Sequence, residues 1–228
     1  MLHQNGYIAA TDGSLSVRLN GEWVLATPTA MSKGALHPFN MVIVNMEGRL
    51  IARCHKVSSE IAMHLMIYKR RPDIRGVVHA HPPTATGFAA AGTALNQPLV
   101  CEVVLGLGSI PPAQYGTPGT PELCESLEPL NPHYDAILMA NHGAVTYAET
   151  SQNAYIMKME TVEHFAKIAL GTHVLGRQQP LGDEELRKLM PARAQFHGSR
   201  MAADGSGYMP QRSSSPQQLN LARAGRSE

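Results

Sequence analysis

The regular alternation of apolar and polar residues begins at Ser14. SLSVRL (14–19) changes side at every residue, the period of a half-buried strand. Asn20-Gly21 is a hairpin turn signal, and EWVLAT (22–27) reads as the returning strand. MVIVNM (41–46) and RLIAR (49–53) repeat the arrangement around Glu47-Gly48. The period then lengthens. In VSSEIAMHLMIYKRRPD (57–73), Ile61, Leu65 and Tyr68 recur at i, i+4 and i+7, which predicts a helix capped by Ser58 or Ser59. Basic Lys69, Arg70 and Arg71 suit the C-terminal end of the helix dipole, and Pro72 ends the helix.

GVVHAH (76–81) is a strand, and PPTATGFAAAG (82–92) begins a short helix. Residues 99–118 read as a strand followed by a Pro/Gly-rich loop. TPGTPELCESL (117–127) begins another helix, with Thr120 as cap and Pro121 at its first position. AILMANHG (136–143) is an apolar strand ending in a polar turn. SQNAYIMKMETVEHFAKIAL (151–170) predicts a long helix with Tyr155, Met159, Val162, Ala166 and Ala169 along one side. From about residue 198 the chain turns to Gly, Ser, Gln and Arg. One domain over residues 1–197 is therefore expected, followed by a low-complexity tail (198–228) outside the core.

Composition narrows the class. With 228 residues, 43% of them hydrophobic and 16% charged, the chain suits one sizeable α/β domain with a continuous core. The formal net charge is +1 and no basic stripe runs along the chain, which argues against a nucleic-acid or anionic-membrane partner. No apolar run approaches the roughly 18 residues of a membrane span. The three cysteines, Cys54, Cys101 and Cys124, form no CxxC pair, and MLHQNGYIAATDG has no signal-peptide pattern. Reduced thiols and a cytoplasmic location are the expectation.

Eleven histidines make their placement informative. In VVHAHPP (77–83), His79 and His81 lie at i and i+2 of a strand and so project from one face. Alone, such a pair reads equally as two half-buried histidines bonded to backbone. His142 also ends an apolar strand, and Gly143 after it relieves crowding around a ligand. Glu60 opens the helix that leads through Pro72 into the strand of His79. Three imidazoles and one carboxylate match a catalytic zinc site, for which no cysteine is in place. Ser58 and Ser59 at a helix N-terminus favour an anion, with Thr29 and Ser14 as further hydroxyls.

The series ATDGSLSVR, TPTAMSKG, SSEIAMHLMIYKRRPDIRGVVHAHPP, IPPAQYGTPGTPEL and LMANHGAV, spread over residues 6 to 170, resembles the class II aldolase/adducin family. It looks most like the bacterial L-fuculose-phosphate aldolase branch. The resemblance implies a three-layer α/β/α sandwich around a mainly antiparallel sheet and a C4 homotetramer with active sites at subunit interfaces. It implies zinc on His79, His81 and His142, with Mn2+, Co2+ or Fe2+ as other candidates. Glu60 becomes the catalytic acid/base that also reaches the metal. Ser58, Ser59, Thr29, the backbone of Ala30 and the position of Ser14 become phosphate binders. Tyr115 becomes a catalytic tyrosine donated across a subunit interface.

The implied reaction is reversible cleavage of a ketose 1-phosphate to dihydroxyacetone phosphate and an aldehyde. A metal-dependent decarboxylase or oxygenase, a pentulose-phosphate 4-epimerase and a non-catalytic adducin-like module are the alternatives on the same scaffold. Three departures bear on the phosphate site and its flank. The family's G-N-x-S-x-R reads G-S-L-S-V-R, with Ser14 in place of the asparagine; Ala30 replaces a frequent glycine, and Val57 a proline. Against the family pattern the chain begins inside the first helix. His64 is expected to pack or to support the site rather than bind metal. Arg18 and Lys33 could offer charge to an anionic substrate, but a strand-surface arginine and a loop lysine read first as solvated; Tyr208 in the tail is a candidate to close over the site.

Overall fold

A computed structural model describes residues 1–150 and 157–197. Among the described residues eight strands form one sheet: β1 Ser14–Arg18, β2 Trp23–Ala26, β3 Val42–Asn45, β4 Leu50–Ala52, β5 Gly76–Ala80, β6 Pro112–Ala113, β7 Ala136–Met139 and β8 Gly143–Ala148. Their order is β4-β3-β2-β1-β5-β8-β7-β6. Only the β6–β7 pair is parallel. Six helices accompany them: α1 Ile61–Arg70, α2 Pro83–Ala90, α3 Cys101–Gly106, α4 Pro121–Leu127, α5 Met159–Val174 and α6 Asp183–His197.

Residue parity sorts the core into two halves. Val77, Ile137, Met139, Val145 and Tyr147 pack with Met63, Leu65 and Ile67 of α1 and with Leu123 and Leu127 of α4. Their sequence neighbours Val78, Ala80, Ala136, Leu138 and Ala144 pack with α2, α3 and α5. The result is a three-layer α/β/α sandwich. Both faces of β5, β7 and β8 are covered, which is why these strands read as continuous apolar runs rather than alternating ones. His79 shares the parity of Val77, and the register sets it opposite Ser14 on one side and Val145 on the other. It therefore faces α1.

The chain differs from its sequence pattern in several places, among them β8 and β6, which stand where no strand is predicted. Residues 101–106 are helix α3 where a strand is predicted. Val103, Val104 and Leu107 turn inward together, and a short apolar run does not distinguish the two periods. Helix α6 stands where the pattern marks no element. Helix α1 starts at Ile61 with Glu60 as its cap residue, so Ser58 and Ser59 precede the first turn instead of capping it. Thr120 does occupy the cap position of α4, but its hydroxyl donates to the Thr117 carbonyl. No helix among the described residues is long and apolar enough to cross a membrane. Tyr155 and the tail with Tyr208 lie outside the described residues.

Arg71, the C-cap residue of α1, ties together the far ends of the site-bearing segments. Its guanidinium donates to Asp73 before β5, to the Asn131 carbonyl, and to Asp135 before β7 at 3.1 Å. Arg71 and Asp135 are both buried. Removing one partner of such a cluster leaves desolvated acceptors behind. Arg71→Ala is expected to destabilise the fold by about 3–5 kcal/mol, read from urea unfolding midpoints.

Candidate active site

Three loops and one helix start meet at the end of β5. His79 is the fourth residue of β5, and His81 lies just beyond the strand. His142 sits in the turn joining β7 to β8, shaped by Asn141 at φ +55, a left-handed conformation that asparagine tolerates. The His142 N–H closes that turn on the Met139 carbonyl at 3.0 Å. Ring centroids lie 4.6 Å apart for His79 and His142, 4.8 Å for His79 and His81, and 5.2 Å for His81 and His142. The buried Glu60 carboxylate faces them, with Oε2 3.2 Å from His79 Nε2 and Oε1 3.2 Å from His142 Nε2.

Hydrogen bonding fixes the protonation pattern. His79 Nδ1 lies 3.0 Å from the Ala144 carbonyl, which can only accept, so this nitrogen carries the proton and Nε2 the lone pair. His81 Nδ1 faces the Asp12 carboxylate at 3.5 Å, which selects the same tautomer. The two Nε2 atoms then confront each other across 3.1 Å as two lone pairs, with a Glu60 oxygen as a third acceptor. Acceptors converge in this way around a cation.

Burial pushes the His79 ring down to about 3, with the Glu60 charge opposing. The same burial lowers His81, aided by the charge of His142. For Glu60, burial raises the carboxyl, but the hydrogen bond from His142 and the pull of the His79, His142 and His64 rings outweigh it and hold it at about 2. His79 and His81, held neutral by burial beside an ionised carboxylate, are donors of the kind a divalent metal needs. The ligand atoms of His79, His81 and His142 all lie within 4.8 Å of one another, and this triad fits a metal ion. His142 Nδ1 is buried with no hydrogen-bond partner among the described residues.

A cavity of about 300 Å³ opens over these groups. Thr29, Ala30, Ser58 and Ser59 line it as the sequence leads one to expect, and so do Lys33 and the Thr11–Gly13 loop. Ala30 takes φ +55, a conformation in which a Cβ costs about 1–2 kcal/mol and glycine nothing. Ser14 departs from the expectation of a phosphate binder. It is 1% exposed, does not line the cavity, and its hydroxyl bonds His64 Nε2 at 2.9 Å. The strand parity that places Ser14 beside His79 also points it at α1, where His64 stands one turn after Glu60. Ser16 Oγ takes the other ring nitrogen of His64 at 2.7 Å. Tyr115 is 58% exposed and lies outside the cavity lining. Asp12 is the residue of the site that motif reading passed over, and Lys33, whose default reading is a solvated loop residue, lines the cavity. The T-D-G turn before Ser14, paired in register with His79, was the available signal for Asp12.

Gly143 is required by close approach. A Cβ there would lie 2.5 Å from the Ala80 carbonyl oxygen and 2.6 Å from His81 Cδ2. Gly143→Ala forces β8 from β5 or tips His81 out of position. We expect a loss of about 1–3 kcal/mol in stability and of about 10- to 100-fold in metal affinity, measured by urea unfolding and metal titration.

The family model for the class II aldolase and adducin N-terminal domain matches residues 1–170. The chain is 32% identical over 190 residues to a 3-oxo-tetronate 4-phosphate decarboxylase of Pectobacterium atrosepticum, covering 82% of each protein. It is 30% identical to a 5-deoxy-D-ribulose 1-phosphate aldolase of Bacillus thuringiensis serovar kurstaki, over 81% of this chain and 86% of the relative. A solved L-fuculose 1-phosphate aldolase superposes with a TM-score of 0.78 at 28% identity, covering 86% of this chain and 91% of the other. The chain belongs to the class II aldolase/adducin family.

Proposed function

We propose that this protein is a metal-dependent lyase that breaks the bond between the carbons alpha and beta to the carbonyl of a small sugar phosphate and gives dihydroxyacetone phosphate as product. The observation that carries the reading is the convergence of three imidazoles and the Glu60 carboxylate beneath a cavity lined by hydroxyls. His79, His81 and His142 hold the ion, with Glu60 within reach, and borderline nitrogen ligands favour zinc. When bound, the metal supplies a Lewis acid to the substrate carbonyl, an effect worth several kcal/mol. Glu60 holds and returns the proton at the carbon alpha to that carbonyl. The N–H groups ahead of α1, with Ser58, Ser59, Thr29 and the Ala30 backbone, orient the phosphoryl group.

The first reading of the leaving group is an aldehyde, released from a ketose 1-phosphate. The bond electrons stay with the alpha carbon, and the neighbouring hydroxyl gives up its proton. Tyr115, from an adjoining subunit of a C4 tetramer, takes that proton. A specific observation favours a second reading. Loss of carbon dioxide from a 3-oxo acid phosphate leaves the same fragment and needs no base on a leaving hydroxyl, so it does not call on Tyr115. The relative from Pectobacterium atrosepticum bears the name of such a decarboxylase.

One assay separates them. Metal-loaded protein is offered ketose 1-phosphates and 3-oxo-tetronate 4-phosphates, with dihydroxyacetone phosphate as the common readout and aldehyde or carbon dioxide as the second. Aldehyde formation supports the aldolase, and carbon dioxide the decarboxylase. Silence on every substrate overturns both. The donor set argues against a purely structural, adducin-like role.

A further inference from the structure

We propose that Lys33 supplies the charge that binds the substrate's phosphoryl dianion, taking over from the side chain that Ser14 turns into the core. The inference rests on the lyase reading above and assigns a binding residue within it.

The electrostatics of the cavity set the requirement. A phosphoryl group carries about −1.5 to −2 charges at neutral pH. Thr29, Ser58 and Ser59 offer hydroxyls but no charge, and Glu60 and Asp12 are carboxylates. Among the described residues lining the cavity, Lys33 alone is a lysine or arginine. Its Nζ donates to the Thr11 carbonyl at 2.5 Å, which spends one of three N–H donors and leaves two. No carboxylate among the described residues lies within ion-pair distance of it. Burial draws the ammonium's pKa down, and the charges of Asp12 and Glu60 oppose the shift. This is a cation that has given up part of its water without gaining a paired anion.

Its placement is built into the chain. Lys33 opens a short 3-10 turn, and the next residue, Gly34, approaches His3 so closely that a Cβ would lie 2.7 Å from the ring Nδ1. The turn is thereby set against the N-terminal segment. Three residues earlier the same loop carries Ala30, so the backbone and the ammonium reach the cavity together. Ser14, meanwhile, is held away by its hydrogen bond to His64. An ammonium facing a phosphoryl dianion adds a Coulomb attraction that a neutral donor lacks, so the exchange strengthens the subsite.

The test uses the full-length, metal-loaded protein and inorganic phosphate as the probe, measured by calorimetry, so that it stands apart from turnover. Wild type is expected to bind phosphate, Lys33→Met to bind it about 10- to 100-fold more weakly, and Lys33→Arg to recover most of the loss. Metal content and urea midpoint of Lys33→Met should match wild type. With a turned-over substrate, KM should rise by the same factor while kcat changes little, the mark of lost uniform binding. Equal phosphate affinity in wild type and Lys33→Met overturns the assignment, as does a wild type that binds no phosphate. A KM effect confined to carboxylated substrates overturns it too, because Lys33 would then read the carboxylate. Phosphate binding that depends on Lys33, with no sugar phosphate turned over, upholds the subsite and defeats the lyase reading alone.

Discussion

His81→Ala is expected to strip the divalent metal from the protein and to lower turnover by about 10³-fold or more. Loss of a Lewis acid worth several kcal/mol accounts for a factor of that size, at about 1.4 kcal/mol per tenfold. His81 is the informative choice among the three. It lies beyond the end of β5 with a partly exposed side chain, so alanine leaves the packing of the sheet intact. His79, by contrast, is fully buried and bonded to the Ala144 carbonyl, and its loss also opens the core. Metal content per chain, activity and the urea midpoint should be measured on one preparation. A variant that keeps both its metal and its turnover removes His81 from the ligand set.

Glu60→Gln should separate metal binding from chemistry. Glutamine keeps the size of the side chain and its position between His79 and His142, but it carries neither charge nor a site for the proton. Turnover is expected to fall by about 10²- to 10⁴-fold, the range for a lost general acid/base, with metal content mostly kept. The three imidazoles alone suffice as ligands, since their ligand atoms already lie within 4.8 Å of one another. Full activity in Glu60→Gln ends the proposed role of this carboxylate.

The metal triad was legible in the sequence because it depends on strand periodicity. His79 and His81 share a face by parity, and His142 follows an apolar run that reads as a strand, although β8, which lies between that strand and β5, was not read from the pattern. Gly143 was legible for the same reason, as relief for a crowded ligand. The anion pocket was legible only in part. Parity places Ser14 beside His79, but whether its hydroxyl looks into the cavity or at α1 depends on His64, fifty residues away. Lys33 lies in a loop without periodicity, where only the fold brings its ammonium over the cavity. Among the helices, α3 hid in an apolar run too short to show its period. In α6, Asp183, Glu184 and Glu185 mark a helix start, while Pro191 argues against a helix through its middle.

The account stands on the cation-binding centre, and titrating chelator-stripped protein with zinc tests it most directly. One tight zinc per chain is expected, released again only well into the acid range, because burial holds His79 and His81 below the usual imidazole pKa. Zinc that fails to bind, or that binds His81→Ala and His142→Ala as tightly as wild type, contradicts it.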